Sequence, residues 1–265
     1  MNIFFIGDIM GSPGRKAISG LLHKVVDKYR IDLVIANGEN ASGGIGITPE
    51  VAEQLFQMGI DVMTTGNHVW KHKEIRSYLA SNDRLLRPAN YPAGTPGRGL
   101  TVIETATGER AAVLNLEGRI FMNPLECPFR TADRELATLP PEVKVILVDM
   151  HAEATSEKLA LAWYLDGRVS AVIGTHTHVQ TADERLLPGG LGYLTDAGLT
   201  GPSDGVIGMD RQIIIDRFLS QLPQKFKVAS HNIQMQGVVL DIEGNGKCRE
   251  LTRIQMKLNE REAHA

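Results

Sequence analysis

Thr175-His176-Thr177-His178 sets two imidazoles two positions apart, directly after the apolar run 169–173. Residues two apart on an extended chain face the same side, so His176 and His178 are expected to point together from a strand end. Paired neutral imidazoles suit a divalent or trivalent metal. Taken alone, the segment reads almost as well as two surface histidines in a polar loop. Other apolar runs shift that balance because they end in the same kind of residue. Residues 2–6 lead to Gly7-Asp8, residues 33–36 to Asn37-Gly38-Glu39-Asn40, residues 61–65 to Gly66-Asn67-His68, and residues 143–148 to Asp149-Met150-His151.

In open α/β sheets, ligands bind beyond the carboxyl ends of the strands. Gly7, Gly38, Gly66 and Gly174 stand close before the polar groups, where glycine permits tight turns and close backbone approach. The donors are oxygen and imidazole without thiolate. That favours Mn, Fe or Zn over a structural zinc cluster or a Ca²⁺ site. There are more donors than one ion needs while keeping an open position. Two ions sharing a carboxylate are the economical solution, and such a pair activates hydroxide and stabilises charge on a transferring group. Each residue also has a plainer reading. Asp8 can form a strand-end turn, Glu39 and Asn40 a solvated loop, Asn67 a brace for the Gly66 turn, and His151 a satisfied buried histidine.

The elements that must position these groups follow from periodicity. The first three apolar runs alternate with helical stretches at about 15–30, 49–58 and 73–79, an opening that predicts parallel strands with right-handed crossovers. Gly11-Ser12-Pro13-Gly14 reads as a turn before the first helix, and Thr48 as the cap of the second. Residues 100–104 and 111–116 predict a hairpin turning at Thr107-Gly108. Residues 117–141, with four prolines, read as irregular, a candidate cleft wall or self-association surface. Thr155 is expected to cap a helix to about 165, residues 211–221 to form a helix, and 236–242 with 250–256 a closing hairpin. The charged tail 259–265 is expected to fray.

Composition narrows the function. The 265 residues are 43% hydrophobic and 22% charged, enough for a sizeable core in one domain spanning 1–265. Net charge is −3 with no dense Lys/Arg face, so a stable long nucleic-acid partner is not expected. The two cysteines, Cys127 and Cys248, make neither a disulfide framework nor a Cys-rich zinc site. Residues 1–6 are too short for a signal core or membrane span, so a cytoplasmic protein without membrane attachment is expected. His23, His72, His231 and His264 lie off strand ends and read as surface or packing residues. The loop 43–46 matches no P-loop. Asp149 and Glu153 are candidates to orient His151, and Asp196 and Asp204, set among glycines, read equally as cleft-lining or turn-forming residues.

The motif series Gly7-Asp8-Ile9-Met10, Gly38-Glu39-Asn40, Gly66-Asn67-His68-Val69, His151 and Thr175-His176-Thr177-His178 is similar to that of the calcineurin-like metallophosphoesterases. It departs from their usual D-x-H, G-D, G-N-H-[DE] and G-H-x-H motifs at Met10, Glu39, Val69 and Thr175. These departures, with the Asn37–Asn40 and 149–158 stretches, resemble the YmdB-like branch. The resemblance implies a four-layer α/β/β/α sandwich of two packed mixed sheets. It also implies a phosphodiesterase with two metal ions, iron or else manganese, acting on 2′,3′-cyclic nucleotides. Carried over, Asp8, Glu39, Asn40 and His178 hold one ion, and Glu39 (bridging), Asn67, His151 and His176 the other. Asn67 and His68 would then contact the phosphate. A metal-bridging hydroxide would attack phosphorus, and His68 would protonate the leaving ribose oxygen, a role that suits histidine. Rival readings are a phosphomonoesterase or nuclease on the same metals, or a non-catalytic metal- and nucleotide-binding regulator.

Overall fold

The first strand, β1 (Asn2–Ile6), sends Ile3 and Phe5 to one face and Phe4 and Ile6 to the other, and all four are fully buried. A strand buried on both faces needs a layer on each side. The computed structural model supplies those layers and describes residues 1–259. Most of the expected frayed tail, and His264, lie outside the described residues.

After β1 come β2 (Asp8–Ile9), α1 (Gly11–Tyr29), β3 (Leu33–Asn37), α2 (Pro49–Gln57), β4 (Val62–Thr64) and α3 (Ile75–Ser81). The middle of the chain forms β5 (Leu100–Glu104), β6 (Arg110–Glu117), α4 (Pro128–Leu136), β7 (Val145–His151), α5 (Thr155–Leu165) and β8 (Ala171–Thr175). It closes with β9 (Arg185–Leu186), β10 (Gly192–Leu194), β11 (Leu199–Pro202), α6 (Arg211–Ser220), β12 (Ile233–Ile242) and β13 (Cys248–Lys257).

One sheet has the order β2-β11-β12-β1-β3-β4, with β13 paired to β12; the other runs β5-β6-β7-β8-β10-β9. Their facing surfaces share a core in which Ile3, Phe5 and Ile35 meet Val113, Leu147 and Ile173. The outer face of the first sheet packs Phe4 and Ile6 against Leu21 of α1, Leu55 of α2 and Leu79 of α3. The second sheet packs Val148 and Val172 against Ala132 of α4 and Leu161 of α5. The result is the four-layer α/β/β/α sandwich. The parallel opening holds, with Ile3 opposite Leu33 and Ile35 opposite Val62. Both sheets are mixed, since β12 runs antiparallel to β1, and β5 to β6. Among the described residues no helix is long and apolar enough to cross a membrane.

Several local expectations are corrected. Gly11–Gly14 is not a separate turn but the first turn of α1, closed by Gly14 N–H donating to the Met10 carbonyl at 2.9 Å. Pro13 is tolerated there because first-turn N–H groups lack helical partners anyway. The segment 117–141 is not wholly irregular, because α4 starts at Pro128, where fixed φ is pre-organised for a helix, and buries Thr131 and Ala132. Thr155 is the first residue of α5 and not its cap; Ala154 holds the cap position without a side-chain bond. The closing hairpin is longer than expected, and its β12 lies between β11 and β1.

Candidate metal centre

Parallel β1, β3 and β4 end on the same side of one sheet, as β6, β7 and β8 do in the other. Asp8 follows β1, Glu39 and Asn40 follow β3, Asn67 and His68 follow β4, His151 ends β7, and His176 and His178 follow β8. The structure brings all eight into one cluster. Two sets of three donors stand out, Glu39/His151/His176 and Asp8/Glu39/His178, each with ligand atoms within 4.8 Å of one another. Glu39 belongs to both.

His151 Nε2 lies 3.2 Å from Glu39 Oε2, 3.1 Å from Asn67 Oδ1 and 3.1 Å from His176 Nδ1. A single ring N–H serves one such partner well. Spacings near 3 Å are those of ligand atoms around an ion with bonds of about 2.1 Å. Asp8 is fully buried; its Oδ2 accepts the His176 backbone N–H at 3.1 Å, while Oδ1 has no hydrogen-bond partner. His178 Nε2 stands 3.7 Å from that oxygen. An orphaned carboxylate oxygen in the interior carries a full desolvation cost. A cation among these donors would offset it, so the residues present fit a bound metal.

The electrostatics agree. Burial pushes the Asp8 carboxyl up to about 6, against the opposing pull of His178 and His151. Burial also opposes charge on Glu39, but His151 and His68 overcome it and hold the acid well below its ordinary range. Burial works against protonation of His151 too, yet Glu39, Asp8 and Asp149 raise it to about 9. Burial and the neighbouring His151 push His176 down to about 3, leaving it a neutral imidazole at physiological pH.

Asn40 sits inside the cluster with its amide nitrogen 3.1 Å from Glu39 Oε1 and 3.1 Å from His178 Nε2. Its Oδ1 accepts from His68 Nδ1 at 2.9 Å. Half a turn of the amide exchanges the two atoms and presents oxygen to the cluster.

Likeness to known proteins extends over nearly the whole chain. Residues 4–254 match the family described as YmdB-like protein. The chain belongs to the YmdB-like family. It is 51% identical over 247 residues to the 2′,3′-cyclic-nucleotide 2′-phosphodiesterase of Bacillus subtilis strain 168, covering 93% of each chain. A hypothetical protein from Thermus thermophilus superimposes with a TM-score of 0.91 at 44% identity, covering 97% of this chain and 99% of that one. A crystal structure described as a novel phosphatase from Mycoplasma pneumoniae gives a TM-score of 0.91 at 31% identity, covering 100% and 96%. The sandwich is thus the metallophosphoesterase-type fold.

In this YmdB-like chain the histidine pair is placed differently from the strand argument. β8 stops at Thr175, and His176 and His178 have φ of 96° and 63°, so neither is extended. They reach different donor sets because the chain turns between them. Asp196 fixes that turn by accepting from the Thr177 backbone N–H at 3.1 Å and its hydroxyl at 2.7 Å. Lys158, fully buried, donates to Asp196 at 2.9 Å and to the Thr175 carbonyl at 2.7 Å. Asp196 therefore supports the site from behind. Asp204 does not join it, pairing instead with Arg211 at 3.2 Å.

Asp149 acts on His151 through Thr175. The Thr175 hydroxyl donates to Asp149 at 2.7 Å and lies 2.8 Å from His151 Nδ1. Having spent its only hydrogen, that hydroxyl accepts from Nδ1–H, which leaves the Nε2 lone pair for the cluster. Glu153 orients His176, not His151, with Oε2 3.2 Å from His176 Nε2. A side chain at Gly66 would collide with the His151 ring and the Glu39 carboxylate, so only glycine lets this backbone pass. His23 and His231 are exposed, and His72 is tied to the Ile45 carbonyl at 3.1 Å.

Glu117 escapes a reading of the sequence. It ends β6 opposite His151 in the neighbouring strand, is fully buried, and neither carboxylate oxygen has a hydrogen-bond partner. Burial lifts its carboxyl to about 7. The available signal is the same strand-end acid rule that finds Asp8. It is obscured because residue 117 opens a proline-rich stretch.

Proposed function

We propose that this chain hydrolyses 2′,3′-cyclic nucleotides at a two-ion centre, with His68 as proton donor. That it is a phosphodiesterase follows from its identity to the Bacillus enzyme. The observation that carries the two-ion reading is the sharing of Glu39 between two donor sets. Asp8, Glu39, Asn40 and His178 would hold one ion; Glu39, Asn67, His151 and His176 would hold the other. Oxygen and imidazole donors suit iron, with manganese the alternative. When bound, the ions supply Lewis-acid stabilisation of phosphoryl charge and activate water near neutral pH.

His68 stands at the edge of the cluster with 35% of its side chain exposed, and its Nδ1 is 3.2 Å from Glu39 Oε1. Its backbone N–H also donates to Glu39 Oε2 at 3.2 Å, so backbone and ring are both tied to the shared carboxylate. With Nδ1–H held by Asn40 and Glu39, the imidazolium form carries its second proton on Nε2, the atom able to deliver it. As a water oxygen bonds to phosphorus and the P–O2′ bond breaks, that proton goes to O2′, leaving a 3′-phosphate and a neutral ring. A ribose oxygen is a poor leaving group, and positioned general acids are worth roughly 10²–10⁴-fold.

The test is elemental analysis of the purified protein, paired with hydrolysis of 2′,3′-cyclic AMP, 3′,5′-cyclic AMP and bis-p-nitrophenyl phosphate. Two ions per chain and chelator-sensitive cleavage of the 2′,3′-cyclic substrate are expected. Cleavage of the generic diester alone would remove the substrate assignment and leave the centre.

Metal affinity should depend on pH with a defined sign. A metal takes neutral His151, and the free site protonates that ring below about 9. Affinity is therefore expected to fall roughly tenfold per pH unit below that value. The slope should steepen below about 6, where Asp8 also takes up a proton. Chelator competition between pH 5.5 and 8.5 measures this, and a flat profile would contradict His151 as a ligand.

A further inference from the structure

We propose that the hollow beside His68 is a nucleobase subsite in which Phe218 and Phe226 stack on the base. This inference rests on the cyclic-nucleotide reading above and specifies how that substrate is held. The cavity has a volume of about 500 Å³, and Asn40, His68 and His178 form the wall it shares with the metal cluster. The opposite wall is apolar, with Ile207 and Met209 from the segment before α6, Phe218 from α6 and Phe226 from the segment after it. Cavities of roughly 300–1,000 Å³ with apolar walls and few polar groups are typical small-ligand sites.

Phe218 is 72% exposed and Phe226 is 43% exposed, an unusual outlay of aromatic surface beside a polar centre. Ile214 is the only residue of α6 that is buried, so the helix holds Phe218 out as part of the wall and adds little to the core, while the segment after it supplies Phe226. Continuity with the cluster decides the occupant. With phosphate at the ions and the leaving ribose oxygen at His68, the rest of the nucleoside must pass His68, and the hollow lies there. A base offers flat apolar faces for the two phenylalanines. The Arg217 guanidinium, 4.7 Å over the Phe226 ring, brings donors to meet acceptors on the base edge. The same apolar surface could alternatively receive a second copy of the chain, and the experiment separates the two.

The experiment compares kcat/KM for 2′,3′-cyclic AMP with that for glycerol 1,2-cyclic phosphate, which carries the same five-membered cyclic diester without a base. It uses the metal-loaded full chain as wild type, Phe218→Ala, Phe226→Ala and Phe218→Trp. Wild type is expected to prefer the nucleotide. Each alanine variant should cut that preference by about tenfold, mostly through KM, because stacking on one aromatic ring is worth that much. Phe218→Trp should retain it. Phe218 is mostly exposed, so its truncation does not threaten folding. An undiminished preference in both alanine variants overturns the subsite, as does a change in oligomer size by light scattering without a change in preference. Wild type that cleaves both substrates equally keeps the hydrolytic function and removes the base subsite. Wild type that cleaves neither ends the functional reading, and the subsite with it.

Discussion

Glu39→Gln is expected to strip the protein of metal and to lower hydrolysis by roughly 10²–10⁴-fold. Glu39 is the member common to both donor sets, and it is 1% exposed. Removing one partner from a buried charged group costs about 3–5 kcal/mol, and each tenfold change corresponds to about 1.4 kcal/mol. At the proposed two-ion centre the loss would fall on both ions at once. The variant keeps the size and shape of the side chain, so His68 and His151 retain a neighbour of the same volume and the fold should persist. Elemental analysis and steady-state kinetics on the same preparation measure both effects. A variant with full metal content and near-normal turnover would show that Glu39 is not the shared ligand.

His68→Ala should give the second large effect, and its signature lies in the leaving group. Loss on a 2′,3′-cyclic nucleotide is expected to be roughly 10²–10⁴-fold, the usual worth of a positioned general acid. Loss on bis-p-nitrophenyl phosphate should be much smaller, because p-nitrophenolate departs without a proton. Metal content should stay at the wild-type level, since neither donor set contains His68. An equal loss on both substrates would make His68 a phosphate-positioning group and leave the proton donor unidentified. The two variants therefore separate the proposed metal-holding groups from the proposed proton donor.

Much of this centre is legible in the chain because of one physical circumstance. Strands buried on both faces are continuous apolar runs, so the first polar residues after each run mark a strand end. Asp8, Glu39, Asn67 and His176 stand out this way. The support around them does not. Thr175 reads as a mere departure from the family motif, yet it relays Asp149 to His151. Asp196 reads equally as a cleft-lining or a turn-forming residue, yet it anchors the histidine turn through Thr177. Both roles depend on which strands are neighbours: β7 lies beside β8, and β8 beside β10. Strand order is a long-range property with no local mark. The helix α4 is hidden for the opposite reason, a local one, because prolines signal both loops and helix starts.

Local pattern along the chain was enough for the donor types, their order, the alternation of strands and helices, and hence the family and its layered fold. It took the packed molecule to bring Glu39 within reach of two donor sets, to divide His176 and His178 between those sets, and to open an aromatic hollow beside His68. The reason is distance along the chain. Asn37 reaches Asp149 across 112 positions, and His176 reaches Asp8 across 168. Such contacts arise when two sheets pack face to face and bring their strand ends to a common edge, which no local pattern of residues specifies.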